Sequence, residues 1–364
     1  MNGDLTVAAH PPWSTVRQRT VSTSKITQSM QLEQHFSLKS MNTFQIDAIA
    51  PSFCRVRSVA HLREVLSTWR QPVRILGGGS NILPVHPIEG LVIRLEIPGV
   101  EILSEQGAEV LVGVGAGVEW HSLVRWCIDR GLGGLENLSL IPGSAGAAPI
   151  QNIGAYGVEL KDVFHSLEAV DLRTLQSVEF GPKDCAFGYR DSVFKREAKG
   201  RYAITGIRLR LSREHRLQLS YGDIRATLAR MGIERPTIRD VSDAVSAIRR
   251  SKLPDPARIG NAGSFFKNPV VSAEVLPPLK ARYPELVSFP QSDGTYKLAA
   301  GWLVERAGWK GKSVGPAGCH ERQALVLVNL GGATGEDILA LSKLIRDDVR
   351  AMFGVELETE VNVW

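Results

Sequence analysis

No CxxC pair, no HxxxH or HExxH cluster and no GxxxxGK[ST] loop occurs in these 364 residues. The four cysteines, Cys54, Cys127, Cys185 and Cys319, are scattered. That spacing excludes a zinc ribbon and a disulfide framework, and predicts reduced thiols in a cytoplasmic protein with no metal site. No apolar run approaches the length of a membrane span. No charged start leads into an apolar signal core, so neither a membrane role nor secretion is expected. Long Lys/Arg runs are absent, which argues against nucleic acid. Nothing in the chain calls for an obligate protein partner. The net charge is +5, and part of the excess lies near the start, where Arg17, Arg19 and Lys25 face only Asp4. A mild positive balance suits anionic small molecules and is also common by chance.

The composition, 43% hydrophobic and 22% charged, is that of an ordinary globular chain long enough for a large core. Residues 1–35 are polar, Ser/Thr-rich and without periodicity, and read as a disordered tail, with Met30 an alternative start. Order is expected from Phe36. Ser58 caps a predicted helix whose stripe is Leu62, Val65, Leu66 and Trp69. Strands follow at Val73–Leu76, Leu91–Leu95 and Val110–Val114. A second helix carries Trp120, Leu123, Cys127 and Ile128 and stops at Gly131. From Val163 to Leu211 the pattern favours short strands, and Arg201–Leu211 alternates as a strand with one wet face. Asp240–Arg250 is predicted helical. Thr334 and Asp337 form a capping box before a helix with Ile338, Leu341, Ile345, Val349 and Met352. Gly354 ends it, and Val355–Val363 reads as a final strand returning to an earlier domain. The class is α+β.

Three segments are candidates to carry chemistry. Gly260–Pro269, GNAGSFFKNP, places the Ser264 hydroxyl, the Lys267 ammonium and the Asn268 amide within five residues. Its small residues permit close approach of a ligand, and Phe265 and Phe266 are placed to wall out water. The plain alternative is a Gly-Ser turn entering an aromatic strand. Gly77–Asn81, GGGSN, follows a short strand and either offers backbone N–H groups to a phosphate or makes a tight surface turn. Gly113–Gly117, GVGAG, does not complete GxGxxG, so a Rossmann site is not supported. Ile141–Gly157, IPGSAGAAPIQNIGAYG, either lies along an extended ligand or packs a corner with small residues.

Gly77–Asn81 (GGGSN), Pro149–Gly157 (PIQNIGAYG), Gly188–Ser192 (GYRDS), Lys252–Pro256 (KLPDP), Lys297–Leu303 (KLAAGWL) and Leu357–Val361 (LETEV) stand in this order. Together they resemble the UDP-N-acetylenolpyruvoylglucosamine reductase family, from about Phe36 to the last residue. The resemblance implies a two-subdomain FAD-binding fold of the vanillyl-alcohol-oxidase (PCMH) type plus a C-terminal α+β substrate domain. The implied boundaries are 36–97 for the first FAD subdomain, with 353–364 returning to it, 98–250 for the second, and 251–352 for the substrate domain. The implied activity is NADPH-dependent reduction of a UDP-sugar enolpyruvyl ether through non-covalent FAD, in peptidoglycan precursor synthesis.

The resemblance also assigns residues. Gly77, Gly78, Gly79, Ser80 and Asn81 hold the pyrophosphate. Pro142, Gly143, Ser144, Gln151, Asn152, Gly154, Tyr156 and Gly157 line the rest of the cofactor. Ser264 matches the proton donor, Arg190 the arginine that holds carboxylate charge, and Glu360 the acid that completes the site. Tyr221, in SYGD, matches the tyrosine over the diphosphate in the longer, type I branch. Lys252, Asn268 and Gln323 match contacts to UDP. Each has a plainer reading. Arg190 pairs with Asp191 or another acid, and Glu360 is one of three alternating acids with Glu356 and Glu358. Tyr221 is a strand aromatic, Lys252 a solvated helix end and His320 a structural histidine. Phe289 departs from a tyrosine found in some relatives. Two other readings stand beside the reductase: a different flavin oxidoreductase or oxidase of the same fold, and a non-catalytic nucleotide-binding module.

Overall fold

The computed structural model describes residues 32–364. The tail reading for 1–31 and the alternative start at Met30 lie outside the described residues. The first strand, Glu33–Ser37, begins three residues before Phe36 and crosses the expected 35/36 boundary. It joins a four-stranded sheet ordered Glu33–Ser37, Ile49–Val56, Leu91–Leu95, Val73–Leu76. The outer pair is antiparallel and the rest are parallel. Helix Val59–Thr68 covers this sheet, and Ser58 Oγ accepts the His61 N–H at its start. Leu62, Val65 and Leu66 bury against Leu91, Ile93 and Leu95, as the helical stripe requires.

The second sheet is antiparallel, ordered Ser177–Phe180, Phe164–Asp171, Tyr202–Ser212, Glu109–Gly115, Val100–Gln106. Helix Trp120–Asp129 packs on it through Trp120, Leu123, Cys127 and Ile128. The wet face expected along Arg201–Leu211 holds only from Arg208 onward. Before that both faces are covered, because Ala203 packs into the first sheet's core while Ile204 and Ile207 fill the second. Arg208 is balanced by Glu168 and Glu179.

Helices Ile224–Arg230 and Ile238–Lys252 form a small cluster of their own. The longer one starts at Thr237, whose hydroxyl and the Asp240 carboxylate make a reciprocal capping box. The last unit is a sheet ordered Gly260–Ser264, Val326–Asn329, Ala317–Cys319, Ser313–Val314. Helix Gly335–Phe353, capped by Thr334 and Asp337 and ended by Gly354, covers it. The core of this unit also takes in Phe44, Ile46 and Leu83, so the first and last segments are packed as one body.

Val355–Val363 is not a continuous strand. Only Asn362–Val363 is, and it pairs in parallel with Ile82–Leu83. Upstream, Thr359 makes a single bridge to Phe266. The segment divides its bonds between two partners, so no one ladder runs its length. All four cysteines are buried and unpaired, and burial pushes the Cys127 thiol up to about 12. Among the described residues, no helix is long and apolar enough to cross a membrane, and no His/Cys/Asp/Glu group is arranged to hold a metal.

Candidate active site

Two glycine-containing loops meet face to face. Strand Val73–Leu76 delivers Gly77–Asn81. Gly79 has φ +67°, and its carbonyl accepts the Thr43 N–H at 3.1 Å. Ser80 Oγ donates to the Pro142 carbonyl at 3.0 Å. A Cβ at Gly78 would lie 2.6 Å from Gly143 Cα, and one at Gly77 would lie 2.7 Å from Ser144 Oγ. The glycines therefore let one loop's backbone rest on the other's. Ser144 Oγ is buried beside Gly77 with no hydrogen-bond partner. A buried hydroxyl left unsatisfied is unfavourable, and a ligand oxygen lying between the loops would satisfy it. On that observation the residues fit the cofactor.

Gly78→Ala tests the close approach, because backbone atoms on the other loop cannot rotate away. The expected loss is about 1–3 kcal/mol, as for overpacking, with release of bound flavin. Melting temperature and flavin content equal to wild type would show that the loops have room.

The second loop continues from the cofactor side to the reacting side. Gln151 Oε1 accepts from Asn81 Nδ2 at 2.6 Å, and Asn81 also donates to the Glu360 carbonyl at 3.3 Å. Asn152 differs from the expectation that it lines the cofactor with its side chain. It is fully buried and left-handed, donates to Glu159 and Gly188 O, and accepts from Lys161 N. Its amide has no group left over, so it shapes the loop instead. The Gly154 carbonyl accepts from Arg190 Nη2 at 2.5 Å. Tyr156 has φ +51° and packs against the cluster of Ile224, Leu228, Val241, Val245 and Ile248, while Gly157 (φ +81°) lies against Tyr221.

Ser264 ends strand Gly260–Ser264, whose register shifts between Asn261 and Ser264. Phe265 and Phe266 do not wall the site. Both are buried in the last unit's core, edge to face at 5.2 Å, and so anchor the serine's backbone. The chain beyond them pairs with the C-terminal segment: Glu360 N donates to Phe265 O and Lys267 N to Glu358 O. This pairing brings Glu360 beside Ser264. Of the three alternating acids, Glu356 pairs with Arg350 and Glu358 with Lys267, both at the surface. Glu360 is the least exposed of the three, its side chain only 13% accessible, and its Oε1 lies 3.1 Å from Arg190 Nε. Asp191 pairs with Arg196, so it is not the partner of Arg190. Burial pushes the Glu360 carboxyl up, and Arg190, Lys195 and Lys267 pull it back. Arg190 itself has φ +53°, an uncommon conformation for a non-glycine residue, set by the Gly188–Asp191 turn.

Three residues that the sequence reading did not single out belong here. Burial pushes the Tyr189 hydroxyl up, with Arg190 opposing, and Lys297 Nζ lies 4.4 Å above the Tyr189 ring. Both stand in quoted motifs, GYRDS and KLAAGWL, so reading those motifs whole would have found them. Lys195 is half-buried and has no ion-pair partner among the described residues. Burial and repulsion from Lys267 push its ammonium down, against Glu360 and Asp191. No sequence signal marks it beyond its place five residues after Arg190.

The residues matched to UDP fall in two groups. Lys252 pairs with Asp223 at 2.7 Å, two residues from the exposed Tyr221. Asn268 Oδ1 accepts the Ala300 N–H at 2.9 Å, and Gln323 lies against Gly301, both at the start of helix Ala300–Arg306. The groups flank Tyr189 and Arg190. His320 is buried, and its Nδ1 accepts the Arg322 N–H, a structural role.

His121 Nδ1 accepts the Leu140 N–H at 3.0 Å, just ahead of Pro142. That bond needs a neutral ring. Burial holds the His121 pKa below the ordinary 6.5, helped by Arg125 and Arg250 and opposed by Glu119 and Asp243. The folded value is depressed, so its contribution to stability is present above about 6.5 and is lost as pH falls through the folded value. Flavin retention is expected to weaken with it. His121→Gln keeps an acceptor without the titration and is expected to flatten this acid limb, read by flavin fluorescence against pH. Identical acid profiles in the two proteins would exclude His121 as the cause.

The comparisons agree with this geometry. Residues 255–364 match the family described as UDP-N-acetylenolpyruvoylglucosamine reductase, C-terminal domain, and residues 50–174 match an FAD binding domain. Over 339 residues the chain is 53% identical to the UDP-N-acetylenolpyruvoylglucosamine reductase of Pseudomonas aeruginosa, covering 92% of this chain and 100% of that protein. It is 52% identical to the reductase of Burkholderia mallei over 330 residues, covering 89% and 95%. The structure of the reductase from Thermus caldophilus aligns with a TM-score of 0.65 at 25% identity, covering 92% of this chain and 99% of that one. With an α+β FAD-binding fold, and relatives this similar along nearly their whole length, the chain belongs to the UDP-N-acetylenolpyruvoylglucosamine reductase family.

Proposed function

We propose that the chain reduces UDP-N-acetylenolpyruvoylglucosamine to UDP-N-acetylmuramate in peptidoglycan precursor synthesis, with NADPH as reductant and FAD as the bound cofactor. In this reading FAD lies between the units 36–97 and 98–250, each of which supplies one glycine-containing loop, and 251–352 covers the substrate. When bound, the cofactor supplies hydride transfer from NADPH to the terminal methylene of the enolpyruvyl group.

The observation that carries the reading is the meeting of Ser264, Arg190 and Glu360 from three distant segments. Arg190 Nε is engaged by Glu360 and Nη2 by the Gly154 carbonyl, which leaves Nη1 to receive a carboxylate. The fork is thus aimed before the substrate arrives. Arg190, Lys195 and Lys267 outnumber the two acids paired with them, Glu360 and Glu358, so the site favours an incoming anion. These cations stabilise the negative charge that builds on the carboxylate during reduction. The carbon beside that carboxylate then needs a proton. The Ser264 hydroxyl bonds to no described residue, so it is free to give one. In this reading Tyr221, Lys252, Asn268 and Gln323 contact the diphosphate and uridine.

An anaerobic titration tests the reading. NADPH should bleach the flavin band, and the enolpyruvyl substrate should restore it. A flavin that NADPH leaves unbleached would favour a binding module. Reoxidation by air but not by the enolpyruvyl ether would favour an oxidase.

A further inference from the structure

Asn137 stands in the short helical turn Glu136–Leu138 and is only 1% exposed. Its surroundings are fixed. Trp120 Nε1 donates to the Leu138 carbonyl at 3.0 Å, and the Glu136 carboxylate accepts the Gly134 N–H at 2.7 Å. Ser139 Oγ meets Ser242 Oγ of helix Ile238–Lys252 at 2.7 Å. From this base Asn137 Nδ2 donates to two carbonyls at once, Tyr156 O and Gln218 O, each at 2.9 Å. Turning the amide over would set Oδ1 against both carbonyl oxygens, so the two acceptors fix its orientation. Oδ1 is then left buried with no partner. An orphaned acceptor is unfavourable, so the position favours asparagine only for what its two donors join.

One carbonyl stands at the end of the second cofactor loop, and the other opens the turn that carries Tyr221. The two turns rest on each other. A Cβ at Gly157 would lie 3.3 Å from Tyr221 Cβ and 3.4 Å from Gln218 Cγ, and one at Gly222 would lie 3.5 Å from the Tyr156 ring. Among the described residues, the bond from Asn137 is the only hydrogen bond that ties Arg216–Gly222 to the rest of the chain; those of Ser220 to Gln218 stay within the turn. Leu217 and Leu219 add apolar contacts to the helical pair, and such contacts set depth without direction. Tyr221 itself is exposed. Burial pushes the Tyr156 and Tyr189 hydroxyls up and the Tyr221 phenol adds to both, so it stands near each of them. Resting on the reading of Tyr221 as a contact to the diphosphate, we propose that Asn137 is a positioning residue for substrate binding. It holds the Tyr221 turn against the end of the cofactor loop and so sets the phenol where the diphosphate lies. Without the bridge the turn keeps its apolar contacts but loses its direction, and the substrate must order Tyr221 as it binds.

The test is a double-mutant cycle in the holoenzyme, with Asn137→Ala, Tyr221→Ala and the pair. Flavin content, the limiting rate of flavin bleaching at saturating NADPH, kcat, and the Kd and KM of the enolpyruvyl substrate are measured. Asn137→Ala is expected to keep its flavin and its limiting bleaching rate. Its substrate Kd and KM should rise about 10- to 100-fold, the worth of a hydrogen bond to a charged group, while kcat falls little. Tyr221→Ala should do the same. The pair should be no worse than Tyr221→Ala alone, because Asn137 acts through the tyrosine. Independent effects that multiply in the pair would overturn the proposal and leave Asn137 a structural residue. So would flavin loss from Asn137→Ala with wild-type substrate affinity in the molecules that retain it, which would confine its role to the cofactor loop. If Ala fails to fold, Asn137→Ser, which keeps one donor, decides by the same cycle. Wild-type affinity in Tyr221→Ala would instead defeat the placement of Tyr221 on the diphosphate, and with it the proposal that rests there.

Discussion

Ser264→Ala is expected to separate the two half-reactions. Bleaching of the flavin by NADPH should stay near the wild-type rate, because Ser264 makes no hydrogen bond to either glycine-containing loop. Reoxidation by the enolpyruvyl substrate should slow by about 10²–10⁴, the usual worth of a positioned acid. An aliphatic hydroxyl is a weak acid, so it serves only where the accepting carbon is strongly basic and cations stand close. Arg190, Lys195 and Lys267 surround Glu360, which the strand pairing places beside Ser264. The backbone that presents the hydroxyl is fixed by two buried phenylalanines. The substitution should therefore leave the fold intact. Ser264→Cys should recover part of the rate, since a thiol is the stronger acid in nearly the same place. Anaerobic stopped-flow absorbance reads each half-reaction alone. Equal slowing of both, or of neither, would remove Ser264 as the proton donor.

What was legible in the sequence was local. Ser58, Thr237 and Thr334 cap helices by contacts within three residues, so helix starts at Val59 and Gly335 follow from the chain itself. Strands Val73–Leu76 and Leu91–Leu95 stand at the expected residues because turn residues bound them. Tertiary contacts decided the rest. Alternation could not choose among Glu356, Glu358 and Glu360, since only pairing with Phe265–Lys267 buries the last of them. Asn152 looked like a ligand-facing amide because its three partners lie as far away as Gly188. Phe265 and Phe266 looked like site walls because the core that takes them includes Phe44, more than 200 residues earlier. Lys195 carries no motif at all. It is conspicuous only because the folded chain gives it no acid.

Arg190→Lys is the second substitution with a large expected effect. The Arg190 side chain makes two contacts at once: Nε to Glu360 and Nη2 to the Gly154 carbonyl. Lysine presents one point charge, so it keeps at most one of these and loses the edge aimed at the substrate. The backbone gains nothing in exchange, because lysine meets the same penalty at φ +53°. Glu360 would then keep its burial with a weaker partner, and its carboxyl would shift further up. The sign follows: a carboxyl whose pKa is raised by burial ionises later as pH rises, so the variant's acid limb should move to higher pH. Substrate reduction at neutral pH is expected to fall by about 10²–10³, as when one preorganised donor to a developing anion is removed. Flavin content should be unchanged, since Arg190 reaches the second loop only through the Gly154 carbonyl. The oxidative half-reaction followed against pH gives both the rate and the limb. Near-normal turnover with an unmoved limb would make Arg190–Glu360 a structural ion pair and nothing more.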